Sequence, residues 1–424
     1  MTIYIKLLKS WVDIDKELTT MAGKSDLYKS KILKELCLGN LLSGSDISVR
    51  IERSLPLTLR VLNELVQEGM VEEKGYAAST GGRRPLMYAL APGKMYGIAI
   101  AMDQLITRIA LIDLQSFSIL ENRKFNLRLK NNEEALVQLI QHIRSFIGEL
   151  TINAEKIIGI GIGMPGFIDV NKGINYSYLE NDGASISQRM EEEIGIPVYI
   201  DNDSSVIALA EFKLGGAKNR SNAMVINVSW GVGLGMIVNG ELFRGYNGFS
   251  GEFSHIPIFN NNKLCECGKN GCLETEASLR VVVDKARQGI QEGRVTSMKY
   301  LPEEIEEACN EVLKSATRGD QFAVELLSEA AMQIGKGIAI LIHIMNPELI
   351  ILSGRGAAAG NLWLPPIQQA LNRYCIPRLA AYTHMEISRL SKEAELMGAA
   401  SLVVENIDKQ HKAIPSIPAH PFVA

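Results

Sequence analysis

The sequence predicts an α/β protein in which an N-terminal winged helix-turn-helix precedes a larger body of two sheet-and-helix lobes. Three observations support this prediction: a helical start that ends in two short strands, a change to apolar strands after Pro92, and two separate blocks with glycine-rich strand ends. The chain has 424 residues, which is enough for two or three domains. We predict one domain over 1–92 and a second, two-lobed domain over 93–424.

The first 92 residues have the outline of a winged helix-turn-helix. Apolar residues at helical spacing predict three short helices, the second capped by Ser45 and Asp46 and the third starting near Pro56. Two strands are predicted to follow, at Met70–Lys74 and Leu86–Leu90. In this fold the third helix lies in the major groove of DNA.

The third helix and the loop between the two strands carry the candidate DNA contacts. Thr58, Arg60, Val61 and Asn63 are predicted to point outward from the helix, and the set includes donors and acceptors suited to base edges or phosphate. Arg83 and Arg84 lie in the wing, within reach of phosphate or a narrow minor groove. The alternative is a three-helix module that only mediates protein contacts.

The charge of the chain is divided unevenly between the two parts. The net charge is −4, yet residues 1–92 hold 13 basic and 11 acidic residues, a net +2 that leaves −6 for the remainder. This balance excludes a wholly basic nucleic-acid coat and a disordered acidic chain. An excess this small indicates that DNA affinity depends on a few placed arginines and on a homodimer or homotetramer.

No apolar stretch approaches the roughly 20 residues that a membrane helix needs, and the N-terminus lacks the features of a secretion signal. We therefore expect a cytoplasmic protein with no membrane partner.

The body alternates between apolar strands and helices. The predicted strands are Tyr96–Met102, Arg108–Asp113, Ile157–Gly163, Val198–Ile200, Ala223–Val228 and Leu349–Leu352, and the predicted helices run from about Asn132 to Leu150 and from about Ala330 to Met345. Ligands of such folds bind beyond the carboxyl ends of the strands. Asn202-Asp203 follows a predicted strand in this way, although such a pair is also common in turns.

Four residues form the strongest chemical signal. His255, Cys265, Cys267 and Cys272 are one imidazole and three thiols, a complete tetrahedral set for Zn²⁺. Because all four ligands come from the protein, no position is left for water, and the pattern indicates a structural metal. Reduced cysteines without a metal are the alternative.

Two carboxylates flank this set. Glu252 lies three residues before His255, and Glu274 lies two residues after Cys272. Carboxylates accept charge-assisted hydrogen bonds from sugar hydroxyls, so a metal loop that positions both residues favours a polyhydroxylated ligand. His255 has two ring nitrogens, one for the metal and one for such a ligand. Surface or helix-capping roles for the two glutamates are the alternative.

Together these segments resemble the ROK family (repressors, open reading frames, kinases), within the actin-like (ribonuclease H-like) sugar kinase superfamily. The resemblance rests on Gly163-Met164-Pro165-Gly166-Phe167-Ile168-Asp169, Asn202-Asp203, Gly251-Glu252-x-x-His255 and Cys265-x-Cys267-Gly268-x-x-Gly271-Cys272-x-Glu274. Ser254 stands where the family has glycine. The segment Gly81-Gly82-Arg83-Arg84-Pro85 is similar to the winged-helix part of the xylose and N-acetylglucosamine repressors.

The resemblance implies a ligand set and a lobe division. It implies that zinc is held by the four residues above and that a sugar is held by Asn202, Asp203, Glu252, His255 and Glu274. It implies a small lobe of about 93–200 plus a C-terminal helix of about 394–408, and a large lobe of about 201–393.

The segments that bind ATP phosphates in the kinases of this family are altered here. Bulky Leu105 and Ile106 replace two glycines, and we expect Ile106 to fill the phosphate space. Trp230 replaces a threonine in the second phosphate segment, and Arg355 replaces a glycine in the segment on the adenosine side. These changes favour the loss of kinase activity, so we expect no catalytic residue; Asp203 would be the base of an active kinase.

The sequence therefore predicts a regulator, a repressor of carbohydrate-utilisation genes, that binds operator DNA and responds to a sugar or sugar phosphate. The two alternatives are an active hexose or N-acetylhexosamine kinase fused to a DNA-binding domain, and a zinc-stabilised protein-interaction module.

Overall fold

The structure is a computed structural model that describes residues 25–39, 41–78, 84–179 and 182–409. Its N-terminal elements are α1 (25–39), β1 (Leu42–Ser43), α2 (Gly44–Arg50), α3 (Leu55–Gln67), β2 (Val71–Tyr76) and β3 (Leu86–Leu90). The strands form an antiparallel sheet in the order β1-β3-β2. This arrangement confirms the winged helix-turn-helix and adds β1, which the sequence did not predict.

Local hydrogen bonds explain where α2 begins. The Ser43 hydroxyl accepts a hydrogen bond from the Asp46 N–H at 3.1 Å, and the Asp46 carboxylate accepts one from the Ser43 N–H at 3.0 Å. This is a capping box, so the prediction of Ser45 as a cap is wrong, because the helix begins at Gly44. Pro56 lies in the first turn of α3, as predicted.

The first sheet of the body is mixed. In chain order its region contains β4 (Tyr96–Met102), β5 (Ile106–Asp113), β6 (Ser118–Asn126), α4 (Ala135–Gly148), β7 (Ile157–Met164), β8 (Ile168–Asp169), β9 (Ile174–Asn175), α5 (Ile186–Ile194), β10 (Val198–Asn202) and α6 (Asp203–Lys213). The sheet order is β10-β7-β4-β5-β6, with β7 parallel to both of its neighbours. Strands β8 and β9 form a separate small hairpin.

The second sheet follows the same plan. Its region contains β11 (Ala223–Val228), β12 (Val232–Val238), β13 (Glu241–Phe243), α7 (Glu274–Ala277), α8 (Leu279–Gln291), α9 (Ile305–Thr317), α10 (Gln321–Met345), β14 (Leu349–Ser353), α11 (Leu364–Tyr374), α12 (Pro377–Ala380), β15 (His384–Ile387) and α13 (Ala394–Glu405). The sheet order is β13-β12-β11-β14-β15, with β14 parallel to β11 and β15.

Helices α6 and α13 lie between the two sheets. Helix α13 packs on β4 and β7, α6 packs on β11 and β12, and the two helices pack against each other. Glycines allow this close approach: a methyl group on Gly161 would lie 1.9 Å from the Ala399 carbonyl oxygen, and one on Gly398 would lie 1.8 Å from that of Val206. The glycines of β7 therefore serve helix packing as well as the strand end.

The N-terminal module and the body share apolar core. One cluster of buried side chains runs from Ile32 in α1 to Ile407, just after α13. At the same place the Lys34 ammonium donates to the Glu405 carbonyl at 2.7 Å and to the Asp408 carboxylate at 3.0 Å. The module that resembles a DNA reader is thus attached directly to the end of α13.

Helix α10 is the one described helix that is long and apolar enough to cross a membrane by length and composition. Its most hydropathic window is 56% buried, and the helix packs against α7, α8, α9 and α11. It is a core helix of the second lobe. It begins at Gln321, earlier than predicted, because Asp320 caps it through the Ala323 N–H at 2.9 Å.

Candidate functional site

The carboxyl ends of the parallel strands of both sheets meet at one cleft of about 630 Å³. Strands β4, β7 and β10 deliver Asp103, Pro165 and Asn202 to its wall. Strand β11 delivers Trp230, and β14 leads to Arg355 nearby. The topology therefore assembles this site from segments that are far apart in the chain, as is usual in open α/β sheets.

The four predicted metal ligands lie together. One donor atom from each of His255, Cys265, Cys267 and Cys272 falls within 4.8 Å of all the others. The His255 Nδ1–Cys265 Sγ distance is 3.5 Å, and the Cys267 and Cys272 sulfurs are 3.6 Å apart. Two thiolates on one tetrahedral zinc, each about 2.3 Å from the ion, lie about 3.8 Å apart. The donor set and its spacing therefore fit a zinc ion.

The loop backbone brings these ligands together. Short antiparallel bridges join Pro257 to Cys272 and Leu264 to Asn270. Gly271 has φ of 77°, and a methyl group there would lie 2.0 Å from the Phe259 carbonyl oxygen. Glycine is required at this position for both reasons.

His255 connects the metal cluster to the cleft. Its Nδ1 faces Cys265, whereas its Nε2 lies 3.7 Å from a carboxylate oxygen of Glu252. Both residues line the cleft, as does Glu274. A methyl group on Gly231 would lie 2.4 Å from the Glu274 carboxylate, so this glycine leaves room for it. Burial raises the pKa of Glu274.

Asn202 and Asp203 lie where β10 becomes α6, and both line the cleft. The Asn202 side-chain oxygen caps α6, accepting from the Ser204 N–H at 2.9 Å, and its amide donates to the Gly166 carbonyl at 3.3 Å. Asn202 therefore acts as the N-cap of α6. Burial raises the pKa of Asp203 to about 7, and nearby Glu395 and Glu252 add to the shift.

Side chains of this chain join the two lobes at the cleft end where the resemblance places nucleotide phosphates. Trp230 Nε1 donates to the Asp103 carboxylate at 3.0 Å. The Arg355 guanidinium donates to the same oxygen at 2.8 Å and to Glu306 at 2.6 Å, and lies 4.8 Å from the centre of the Trp230 ring. Lys124 of β6 also pairs with Glu306, at 2.5 Å. We call these five residues the cross-lobe network.

The sequence predicted only part of this network. Ile106 is buried and is absent from the cleft wall, so the prediction that it fills the phosphate space is wrong. The Asp103 carboxylate instead accepts the N–H groups of Leu105 and Ile106 at 2.8 Å and closes the β4–β5 turn. Trp230 and Arg355, both identified as substitutions, occupy this end. Glu306 and Lys124 had no sequence signal.

The candidate DNA contacts divide into exposed and buried residues. Arg60 and Asn63 on α3 are exposed, and so is Arg84. Thr58 is fully buried and donates to the Ser54 carbonyl at 3.1 Å, and Val61 is buried as well, so the prediction that these two residues point outward is wrong. Thr58 lies on the apolar face with Leu62 and Leu65, four and seven residues later. Arg83 lies outside the described residues.

Known proteins resemble this chain in sequence over most of its length. The ROK family profile matches residues 96–406. The xylose repressor of Caldicellulosiruptor bescii is 28% identical over 90% of this chain and 96% of its own length. The glucokinase of Halalkalibacterium halodurans is 34% identical over 61% of this chain and 79% of its own length.

A solved structure shares the fold over nearly the whole chain. A ROK family transcriptional regulator, described as a homologue of the E. coli MLC protein, superimposes with a TM-score of 0.74 at 23% identity, over 91% of this chain and 97% of its own. Its likeness includes the winged helix-turn-helix as well as the two lobes, since the match extends beyond the family region. The chain belongs to the ROK family.

Proposed function

We propose that this chain is a sugar-responsive repressor of carbohydrate-utilisation genes that binds operator DNA and has no kinase activity. One observation carries the proposal: a winged helix-turn-helix is attached to a cleft whose wall holds Asp203, Glu252 and Glu274, and Trp230 and Arg355 meet Asp103 across the lobes at its other end. The likeness to a xylose repressor over 90% of the chain supports it. The protein acts in the cytoplasm, as a homodimer or homotetramer.

The sugar lies against the carboxylates in this proposal. Asp203, Glu252 and Glu274 accept hydrogen bonds from its hydroxyls, and His255 offers Nε2. Asn202 contributes the amide N–H that does not donate to the Gly166 carbonyl, because its oxygen is used by the helix cap. Zinc holds His255 and the three cysteines and acts structurally, since it stiffens the loop that carries the sugar ligands.

Kinase chemistry is opposed by the cross-lobe network. Phosphoryl transfer needs backbone and cationic groups that cradle the phosphates. Here the Arg355 guanidinium is directed to Asp103 and Glu306, and the Trp230 indole occupies the adjacent space. A nucleotide would have to displace both side chains.

Helix α13 provides a route from the cleft to the DNA reader. Glu395, near its first residue, lines the cleft and pairs with Arg108. Glu405, at its last residue, accepts Lys34 of α1. The packing of α13 on β4 and β7 supports its assignment to the small lobe. We propose that sugar binding changes the lobe angle and that α13 carries this change to α1, which alters the spacing of two readers in a dimer.

Genomic DNA selection with the purified full-length protein tests this function. The bound fragments are sequenced, and their affinity is measured with and without a sugar panel. We expect fragments upstream of carbohydrate genes and a sugar that changes their affinity. Glu252→Ala should abolish the sugar response and keep operator binding, whereas a folded protein that selects no fragment would contradict the proposal.

An active sugar kinase is the second candidate, because Asp203 is present in the cleft with a pKa of about 7, near the optimum for a general base. The likeness to a glucokinase also favours it. The test is release of ADP from ATP with hexoses and N-acetylhexosamines. Turnover at about 1 s⁻¹ or faster that Asp203→Asn abolishes would establish the kinase.

A further inference from the structure

The charges that line the cleft distinguish between a neutral sugar and a sugar phosphate as its ligand. On the basis of the proposed sugar function, we propose that the effector is an unphosphorylated sugar, and that Asp103, Trp230 and Arg355 determine this specificity by closing the end of the cleft that would receive a phosphate. Three independent features of the described residues support this assignment: the sign of the cleft, the pairing of its cations, and the position of the Asp203 carboxylate.

The wall of the cleft is strongly acidic. Six acidic side chains line it, namely Asp103, Asp203, Glu252, Glu266, Glu274 and Glu395. Against them stand two basic side chains, Lys130 and Arg280, in addition to His255. Zinc does not reverse this sign, because its three thiolates carry more charge than the divalent ion they hold. A phosphate dianion entering this wall meets repulsion that a neutral sugar does not.

The basic side chains of the wall are already engaged. Lys130 lies 3.5 Å from the Glu266 carboxylate, and Arg280 lies 4.0 Å from the same group. The nearby Arg355 pairs with Asp103 and Glu306. Every lysine or arginine that the described wall contains therefore has an acidic partner. None of them is a free guanidinium or ammonium group of the kind that binds phosphate.

A phosphate ester would also remove a hydrogen bond. When it is ionised, Asp203 can accept hydrogen bonds but cannot donate them, so it needs a hydroxyl donor on the sugar; its carboxylate also accepts the Ser204 N–H at 2.7 Å. Phosphorylation of the hydroxyl that Asp203 binds replaces that donor with a dianion. The new charge would lie beside the Asp203 carboxylate, in a cleft whose wall also contains Asp103.

Calorimetric titration of the zinc-loaded full-length protein tests this inference. Glucose, mannose and N-acetylglucosamine are each compared with their 6-phosphates, and xylose is included. We expect that, for the sugar that binds, the dissociation constant of the neutral form is at least about tenfold lower than that of its phosphate. A phosphate that binds as tightly as its parent sugar overturns this inference and leaves the proposed function intact. Binding of neither form by the folded protein overturns both.

A charge variant separates electrostatic discrimination from shape. Glu266→Gln releases Lys130 and Arg280 inside the cleft, and we expect the ratio of phosphate to neutral dissociation constants to fall at least about threefold. The matched control is Glu325→Gln, which releases Arg294 from an ion pair on the outer surface. An equal ratio in wild type and Glu266→Gln, with zinc content unchanged, would contradict the electrostatic basis of the specificity.

Discussion

The cross-lobe network predicts that Arg355→Met destabilises the protein far more than loss of an ordinary surface ion pair. The substitution removes two charge-assisted hydrogen bonds, at 2.8 and 2.6 Å, and one cation–π contact with Trp230. Such bonds contribute about 1.5–3 kcal/mol each, and an aromatic contact adds about 0.5–2 kcal/mol. Asp103 keeps Trp230 as a donor and Glu306 keeps Lys124, so the lower values apply. We expect a loss of about 3–4 kcal/mol.

Urea unfolding followed by tryptophan fluorescence measures this loss, because Trp230 itself belongs to the network. The expected change lowers the unfolding midpoint by about 1 M. Arg294→Met is the matched control: Arg294 also pairs with a glutamate, Glu325, and lies 4.8 Å from the centre of the Phe322 ring, but its side chain is 51% exposed, against 15% for Arg355. The control should lose less than about 1 kcal/mol. Equal losses in both variants would refute the network as a stabilising link.

Four further predictions concern metal, pH, coupling and DNA. Cys272→Ser should reduce bound zinc from one ion per chain to none in elemental analysis, with a lower melting temperature. Sugar affinity should rise as the pH increases through about 7, because Asp203 accepts hydroxyl hydrogen bonds when ionised. Lys34→Met should lower the sugar effect on DNA affinity at least about threefold, because it breaks the contact between α1 and α13. Arg60→Ala and Arg84→Ala should each reduce the salt slope of DNA binding by about 1.

Each of these predictions has a matched comparison. Cys375→Ser, outside the metal cluster, should keep the zinc. Asp203→Asn should remove the pH dependence of sugar affinity. If the affinity of this variant still changes with pH, another group is responsible for the titration. Lys213→Met breaks an ion pair to the same Glu405 from within the body, so an equal effect there would contradict the role of Lys34. A salt slope unchanged in the Arg60 variant would remove α3 from the DNA interface.

The parts of the structure that the sequence predicted well depend on local patterns. Strands β4 and β11 have the predicted bounds, because each is a continuous apolar run that is buried on both faces. The metal ligands His255 and Cys272 come together because they flank one short loop whose glycines permit a tight course. Chemistry and spacing were sufficient in these cases.

The parts that escaped prediction depend on contacts between distant segments. Glu306 lies in the first turn of α9, a helix that was not predicted from the sequence, and its partner Arg355 is 49 residues away in the chain. Strand β6 alternates exposed and half-buried side chains and gives a weak apolar signal. The sequence predicted Thr58 to be exposed because threonine is polar, and its burial depends on neighbouring residues that the sequence does not identify. The use of the Asn202 oxygen as a helix cap likewise needed the backbone geometry.

The central claim is that one free energy of coupling links the sugar cleft to the DNA reader. It is tested by measuring the DNA dissociation constant with and without saturating sugar, and the sugar dissociation constant with and without operator. Linkage requires that the two ratios be equal. We expect both to be at least about tenfold and both to fall toward one in Lys34→Met. A sugar that binds the cleft while both ratios equal one would contradict the account.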